Sequence, residues 1–279
     1  MFVIEIYEEI LKIQKGGEEG VLVTVVEKEG HGPAIVGTKL LILPDGKRIG
    51  TVGGGALEHA AVKEASHILE DKKNDSKKYL LSPDDDIIEG EQTGMLCGGS
   101  ITLFYEYIGS GTRLYIFGAG HIGKALVYHL KSLNYYITLI DNRGGMVETI
   151  DGAQRRITVN YKTALEGDDV PANSFFIISA HSHALDYVIL KRIYEANWSP
   201  KYIGLVASKQ KGPLMIQKLS EELGKDINLD ILYTPVGLDI GGQNPDEIAI
   251  SIISELQAIR YGKNGHKHMR KRQEVRGKR

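Results

Sequence analysis

The stretch RLYIFGAGHIGKALVYHLKSLNYYITLID, Arg113 to Asp141, reads as strand, glycine turn, helix and strand in that order. Leu114 to Phe117 is a short apolar run with β-branched and aromatic residues, the pattern of a parallel strand buried on both faces. Gly118, Gly120 and Gly123 follow at G-x-G-x-x-G spacing. The first glycine permits the tight turn. The second lets a pyrophosphate approach the backbone, and the third lets the helix pack close to the strand. Ile122, Leu126, Leu130 and Leu133 recur at helical spacing, so one face of the helix is apolar. Tyr136 to Ile140 forms the second strand, and Asp141 at its end is placed to accept a ribose diol. The expected class is α/β: a Rossmann-like, doubly wound parallel sheet that binds a nucleotide. The bland alternative is the same fold with an idle crevice.

Downstream, Arg155–Val159, Ser174–Ser179, Tyr202–Val206 and Ile231–Thr234 supply further strands. Leu185–Ala196 and Pro213–Leu223 read as helices, and Asn244-Pro245-Asp246-Glu247 opens a last one as a capping box with proline at its first position. In a doubly wound sheet ligands sit outside the carboxyl ends of the strands, where the first and fourth meet. That gathers the Gly118–Gly123 loop, His181, His183, and with them Ser208 and Lys209, around one crevice. His-x-His is also a metal-pair spacing. With no third ligand in reach, hydrogen-bonding roles are preferred and no metal is expected.

Upstream, Phe2–Lys15 reads as an amphipathic helix carrying Ile6, Ile10 and Ile13, and Val21–Val26 as a strand. Lys39–Leu43 and Arg48–Val52 flank Pro44-Asp45-Gly46, which predicts a hairpin. The hairpin runs into Gly53-Gly54-Gly55 and then a helix over Ala56–Leu69. Such a bend bares amides at a helix start, which suits a phosphate; a glycine turn needed for packing alone is the equal alternative. Glu58 in the first turn favours the helix dipole. Lys72–Lys78 reads as a polar linker. His31 lies in a glycine-rich loop, and Cys97 lies in Cys97-Gly98-Gly99, where its thiol is uncrowded. A free cysteine is usually a small buried hydrophobe; bare amides nearby would instead lower its pKa and make it a functional thiol.

At 279 residues the chain is long enough for two domains, and its 42% hydrophobic and 25% charged content suits ordinary cores and a soluble surface. No apolar run reaches the roughly 18 residues of a membrane span, and MFVIEIYEEI lacks the basic start of a signal peptide. The single cysteine rules out an internal disulfide and suits a cytoplasmic location. Residues 263–279 hold eight Lys/Arg against one acid, Glu274, so this tail carries +7 of a chain total of −2. Without interleaved aromatics, and on an acidic body, it reads as a solvated, disordered end rather than a nucleic-acid arm.

The strings GTKLLILPDGKRIGTVGGGALEHAAVKEA, GMLCGGSITLFYE, LYIFGAGHIGKAL, HSHALDYVIL and TPVGLDIGGQNPDEIAISIISELQAI, in that order, resemble the XdhC/CoxI family, accessory factors of xanthine dehydrogenase-type molybdenum hydroxylases. The resemblance covers nearly all of residues 20–261. It implies an α+β N-terminal domain over 1–109, a Rossmann-like domain over 110–262 and the basic tail beyond. It also implies a cytoplasmic homodimer that holds molybdenum cofactor, as molybdopterin or its dinucleotide, supports its sulfuration and delivers it to the apo-hydroxylase, a handover protein rather than a turnover enzyme. A cysteine desulfurase and the hydroxylase are the implied partners, with no nucleic acid and no membrane. Carried over, the cofactor contacts are Gly53, Gly54, Gly55 and Glu58, then Gly118, Gly120, His121 and Gly123, with Cys97 as the reactive residue. Asp141, His181 and His183 join them from the crevice argument. The competing functions are an NAD(P)-dependent oxidoreductase, with Arg143 as a partner for a 2′-phosphate or adenine, and a scaffold that bridges desulfurase and hydroxylase.

Overall fold

Strand β7 (Thr112–Phe117), helix α3 (His121–Leu130) and strand β8 (Tyr135–Asp141) occupy the Arg113–Asp141 stretch in the expected order, with α3 ending before Leu133, which lies in the turn to β8. The computed structural model describes residues 2–30, 34–80, 91–92, 99–196, 198–207, 211–224 and 227–263. The chain divides into two compact units, Met1–Gly111 and Thr112–Arg279.

The second unit continues with β9 (Arg155–Thr158), a 3₁₀ turn (Tyr161–Thr163), β10 (Phe175–Ile178), α4 (His183–Glu195), β11 (Tyr202–Leu205), α5 (Lys211–Leu223), β12 (Leu232–Tyr233) and α6 (Pro245–Arg260). Its sheet has the order β9-β8-β7-β10-β11-β12 with every neighbour parallel. Numbered along the unit this is 3-2-1-4-5-6, the doubly wound Rossmann order. The central strands are buried on both faces, and alternation along each strand feeds two cores. Leu114 and Ile116 pack with Leu126, Leu130, Ile252 and Leu256 from α3 and α6. Tyr115 and Phe117 point the other way and pack with Ile189, Ile193 and Leu219 from α4 and α5. Asn244 and Glu247 form the expected capping box, with Pro245 just inside α6.

The first unit runs α1 (Phe2–Gly16), β1 (Glu19–Gly30), β2 (Lys39–Ile42), β3 (Arg48–Gly50), α2 (Gly55–Asp71), β4 (Asp75–Leu80), β5 (Glu91–Gln92) and β6 (Gly99–Gly109). They form a sheet of order β3-β2-β1-β6-β4-β5, antiparallel except for the β4–β5 pair. Helix α2 covers one face through Leu57, Ala61, Ala65 and Ile68. Helix α1 covers the other, with Ile6 and Ile13 against Leu22, Leu41 and Leu43.

The polar linker expected over Lys72–Lys78 is corrected: β4 starts at Asp75 and pairs antiparallel with β6 from Asp75↔Tyr105 to Leu80↔Ser100. Its two lysines find acidic partners. Lys77 pairs with Glu64 at 2.8 Å and Lys78 with Glu29 at 3.3 Å, while Tyr79 is fully buried. The pairing overrides a composition poor in strand formers.

Candidate functional site

The crevice lies at the carboxyl ends of β7 and β10, where the sheet order reverses. Each glycine of the G-x-G-x-x-G turn has its own physical reason. Gly118 has φ +109°, and a Cβ there would stand 2.2 Å from the Ser179 carbonyl oxygen. The turn after β7 is thus pressed against the segment that leaves β10, and Ser179 N–H donates to the Phe117 carbonyl at 2.8 Å. Gly123 meets the Gly118 carbonyl oxygen at 1.9 Å from its would-be Cβ, the close helix–strand approach that only glycine allows. Gly120 differs: nothing lies within 4 Å of the Cβ position, and its φ is −75°. It is the N-cap of α3 and gives no side-chain cap. The first N–H groups of α3 have no intrahelical acceptor, and an open helix start of this kind could hold an anion. His121 opens α3 and is exposed.

Asp141 has a different job from the one expected. Its side chain is fully buried, and it accepts four hydrogen bonds. Oδ1 takes the Arg143 N–H and Nε–H, both at 2.9 Å. Oδ2 takes the Ala119 N–H at 2.7 Å and an Arg143 guanidinium N–H at 2.8 Å. These fill the roughly four lone-pair positions of a carboxylate, so in this structure Asp141 ties the glycine turn to β8. Arg143 is spent on the same pair rather than presented to a 2′-phosphate. Burial pushes the Asp141 carboxyl up, but the bonds from Arg143 and Ala119 outweigh it and hold the group below the usual carboxylate range.

The loop after β10 brings in the histidines. His181 is exposed. His183 opens α4, whose N-cap Ser182 accepts from Leu185 N–H. His183 Nδ1 stands 3.6 Å from Asp186 Oδ2, and its Nε2 stands 2.6 Å from Lys211 Nζ at the start of α5. Asp186 is 2% exposed, and its Oδ1 accepts the Ala180 N–H at 2.9 Å. Burial raises its carboxyl to about 6 against the pull of that N–H. Neither Asp186 nor Lys211 was expected from the sequence. The clue was the His183/Asp186 spacing of three on a helix. Ser208 and Lys209, expected at this edge, lie outside the described residues.

In the first unit Gly53, Gly54 and Gly55 all take positive φ, at +125°, +78° and +60°. Gly53 packs on Ala34, 3.0 Å from its would-be Cβ, while Gly54 faces open space. Gly54 is the N-cap of α2, again without a side-chain cap. Glu58 reaches back: its Oε1 accepts the Thr51 hydroxyl at 2.5 Å and the Gly54 N–H at 3.2 Å. One amide of the bend, the Gly54 N–H, is therefore already held by a resident carboxylate. His31 and Cys97 lie outside the described residues. Among the described residues no group of three His, Cys, Asp or Glu side chains is placed to hold a metal ion, and no helix is long and apolar enough to cross a membrane.

The family model for the XdhC Rossmann domain matches residues 114–256, and that for the XdhC and CoxI family matches residues 13–80. The chain belongs to the XdhC/CoxI family. Among similar proteins, YqeB of Escherichia coli (strain K12) is 25% identical over 268 residues, which cover 94% of this chain and 47% of that protein. This XdhC/CoxI chain thus spans about half the length of YqeB. A xanthine dehydrogenase subunit, so described as probable, from Bacillus subtilis (strain 168) is 24% identical over 316 residues, 86% of this chain and 92% of that one. The molybdenum cofactor insertion chaperone PaoD of Escherichia coli (strain K12) is 23% identical over 276 residues, 88% and 84% of the two chains. A solved structure described as a xanthine dehydrogenase from Bacillus halodurans shares 21% identity over 95% of this chain and 98% of that one, with a TM-score of 0.48.

Proposed function

We propose that this XdhC/CoxI protein binds molybdenum cofactor and supports its maturation and insertion into a xanthine dehydrogenase-type molybdenum hydroxylase. Family membership and the likeness to an insertion chaperone support the reading. The observation that carries it is Gly120, open on its ligand side at the uncapped start of α3. A phosphate or pyrophosphate, the polar end common to molybdopterin and its dinucleotide, fits that corner. The cofactor supplies the redox chemistry of the hydroxylase. This chain's part is to grip the anionic end through the α3 backbone and His121, with His181 and His183 at the same sheet edge. Glu58 in the first unit suits a hydrogen-bond donor rather than a phosphate, since its carboxylate is already fixed by Thr51 and Gly54. Cys97 is the thiol proposed to meet the cofactor during sulfuration, with a cysteine desulfurase and the apo-hydroxylase as partners and a cytoplasmic homodimer as the working form.

The second reading is an NAD(P)-dependent oxidoreductase; against it stands Asp141, whose carboxylate oxygens are already held by Arg143 and Ala119. The experiment is co-elution of the purified protein with molybdenum cofactor. The wild type is expected to retain it, and Gly120→Ala to weaken retention about tenfold while thermal melting moves little, because the added methyl enters open space. Tight NAD(P) binding without cofactor retention would remove the proposal.

A further inference from the structure

We propose that Lys211 is a further anion-contacting residue of the Rossmann crevice, held in place by His183, which lies beside the buried Asp186, and that it takes a phosphate group of the bound molecule. The inference rests on the cofactor-binding reading above and adds to it a residue and a direction of approach.

Three side chains from two helices meet here. Helices α4 and α5 start at the carboxyl ends of β10 and β11, which are parallel neighbours, so His183 and Lys211 open onto the same edge of the sheet. An ammonium can only donate, so in the 2.6 Å contact the His183 Nε2 must accept. The ring proton then sits on Nδ1, the atom that faces Asp186 at 3.6 Å. Asp186 is buried and fixed by the Ala180 N–H, so the row is anchored at its inner end and exposed at its outer end. Lysine carries three N–H bonds. His183 uses one, and among the described residues the other two have no acceptor, which leaves them to a guest.

The mount of Lys211 is tight. Gly212, the next residue, is buried, and a Cβ on it would stand 2.8 Å from Thr234 Oγ1 at the end of β12. The first turn of α5 is therefore pressed against the sheet, which fixes where the lysine stem starts. The same edge carries the glycine turn, since Ser179, at the head of the His181–His183 loop, abuts Gly118. A ligand whose phosphate rests on α3 finds a second, cationic partner further along the edge. A lysine held only for charge on a surface has no need of a histidine acceptor backed by a buried acid.

The test uses the full-length protein, ¹⁵N-labelled, titrated with inorganic pyrophosphate and followed by NMR at backbone amides and histidine ring nitrogens. Saturable shifts are expected at Gly120, at His121 and at His183 Nε2, the last as Lys211 turns towards the anion. Lys211→Ala should weaken pyrophosphate binding about tenfold and silence the ring response. Lys211→Arg should stay within about threefold of the wild type. A well-dispersed spectrum shows that each variant folds. Shifts at Gly120 and His121 with a silent His183, or undiminished binding by Lys211→Ala, would overturn the inference and leave the glycine-turn reading standing. A response at His183 alone would uphold Lys211 and remove the glycine turn from the site. No response anywhere would take down both.

Discussion

Two buried carboxylates, one at the end of β8 and one in the first turn of α4, show how surroundings set the job of a residue type. Asp141 gains more from four donors than it loses by burial, so its pKa falls and its charge holds the glycine turn. Asp186 has one N–H donor and a histidine at 3.6 Å, so burial wins and its pKa rises to about 6. For Asp186 the folded state binds more protons than the unfolded chain between the ordinary value of 3.8 and about 6. Its contribution to stability is therefore full below that window and is lost as pH rises through it. Asp186→Asn keeps an acceptor for Ala180 N–H and removes the titration. The variant's stability advantage over the wild type should be greater at pH 7 than at pH 4.5 by on the order of 2 kcal/mol. Urea denaturation of both proteins at the two pH values checks this; parallel behaviour would show that Asp186 is not strained by its charge.

The β7–α3–β8 unit turns one motif into three unlike glycines. Gly123→Ala drives a methyl into the Gly118 carbonyl, 1.9 Å from its would-be position. Backbone would have to shift, and a loss of roughly 3 kcal/mol or more is expected from overpacking at a rigid crossing. A thermal melt of Gly123→Ala should fall far below that of Gly120→Ala; equal melts would mean that the helix is not seated on the strand as described. The motif spacing is legible in the amino-acid order because it reflects local backbone need. The partners of Asp141 are not, since its four donors come from a turn 22 residues upstream and from its own neighbour. Strand β4 escapes a sequence reading for a related reason. Asp75-Ser76-Lys77-Lys78 carries no apolar alternation, and its identity as a strand comes from β6, more than twenty residues further on.

Each of the two units has its own cores. The first packs α1 and α2 on opposite faces of its sheet. The second packs α3 and α6 on one face and α4 and α5 on the other. A fragment over residues 112–279 should therefore fold alone, with a cooperative urea transition and a mixed α/β circular dichroism spectrum. A fragment that stays unfolded would mean that the second unit needs the first to close its core. The order of amino acids was enough for the α/β class, the strand–turn–helix–strand of the crevice and the family, because hydrophobic period, glycine spacing and caps act over a few residues. Packing settled the rest. Asp141 became an anchor for the glycine turn and Lys211 came to His183, because each outcome depends on a group that a distant chain segment brings within hydrogen-bond reach.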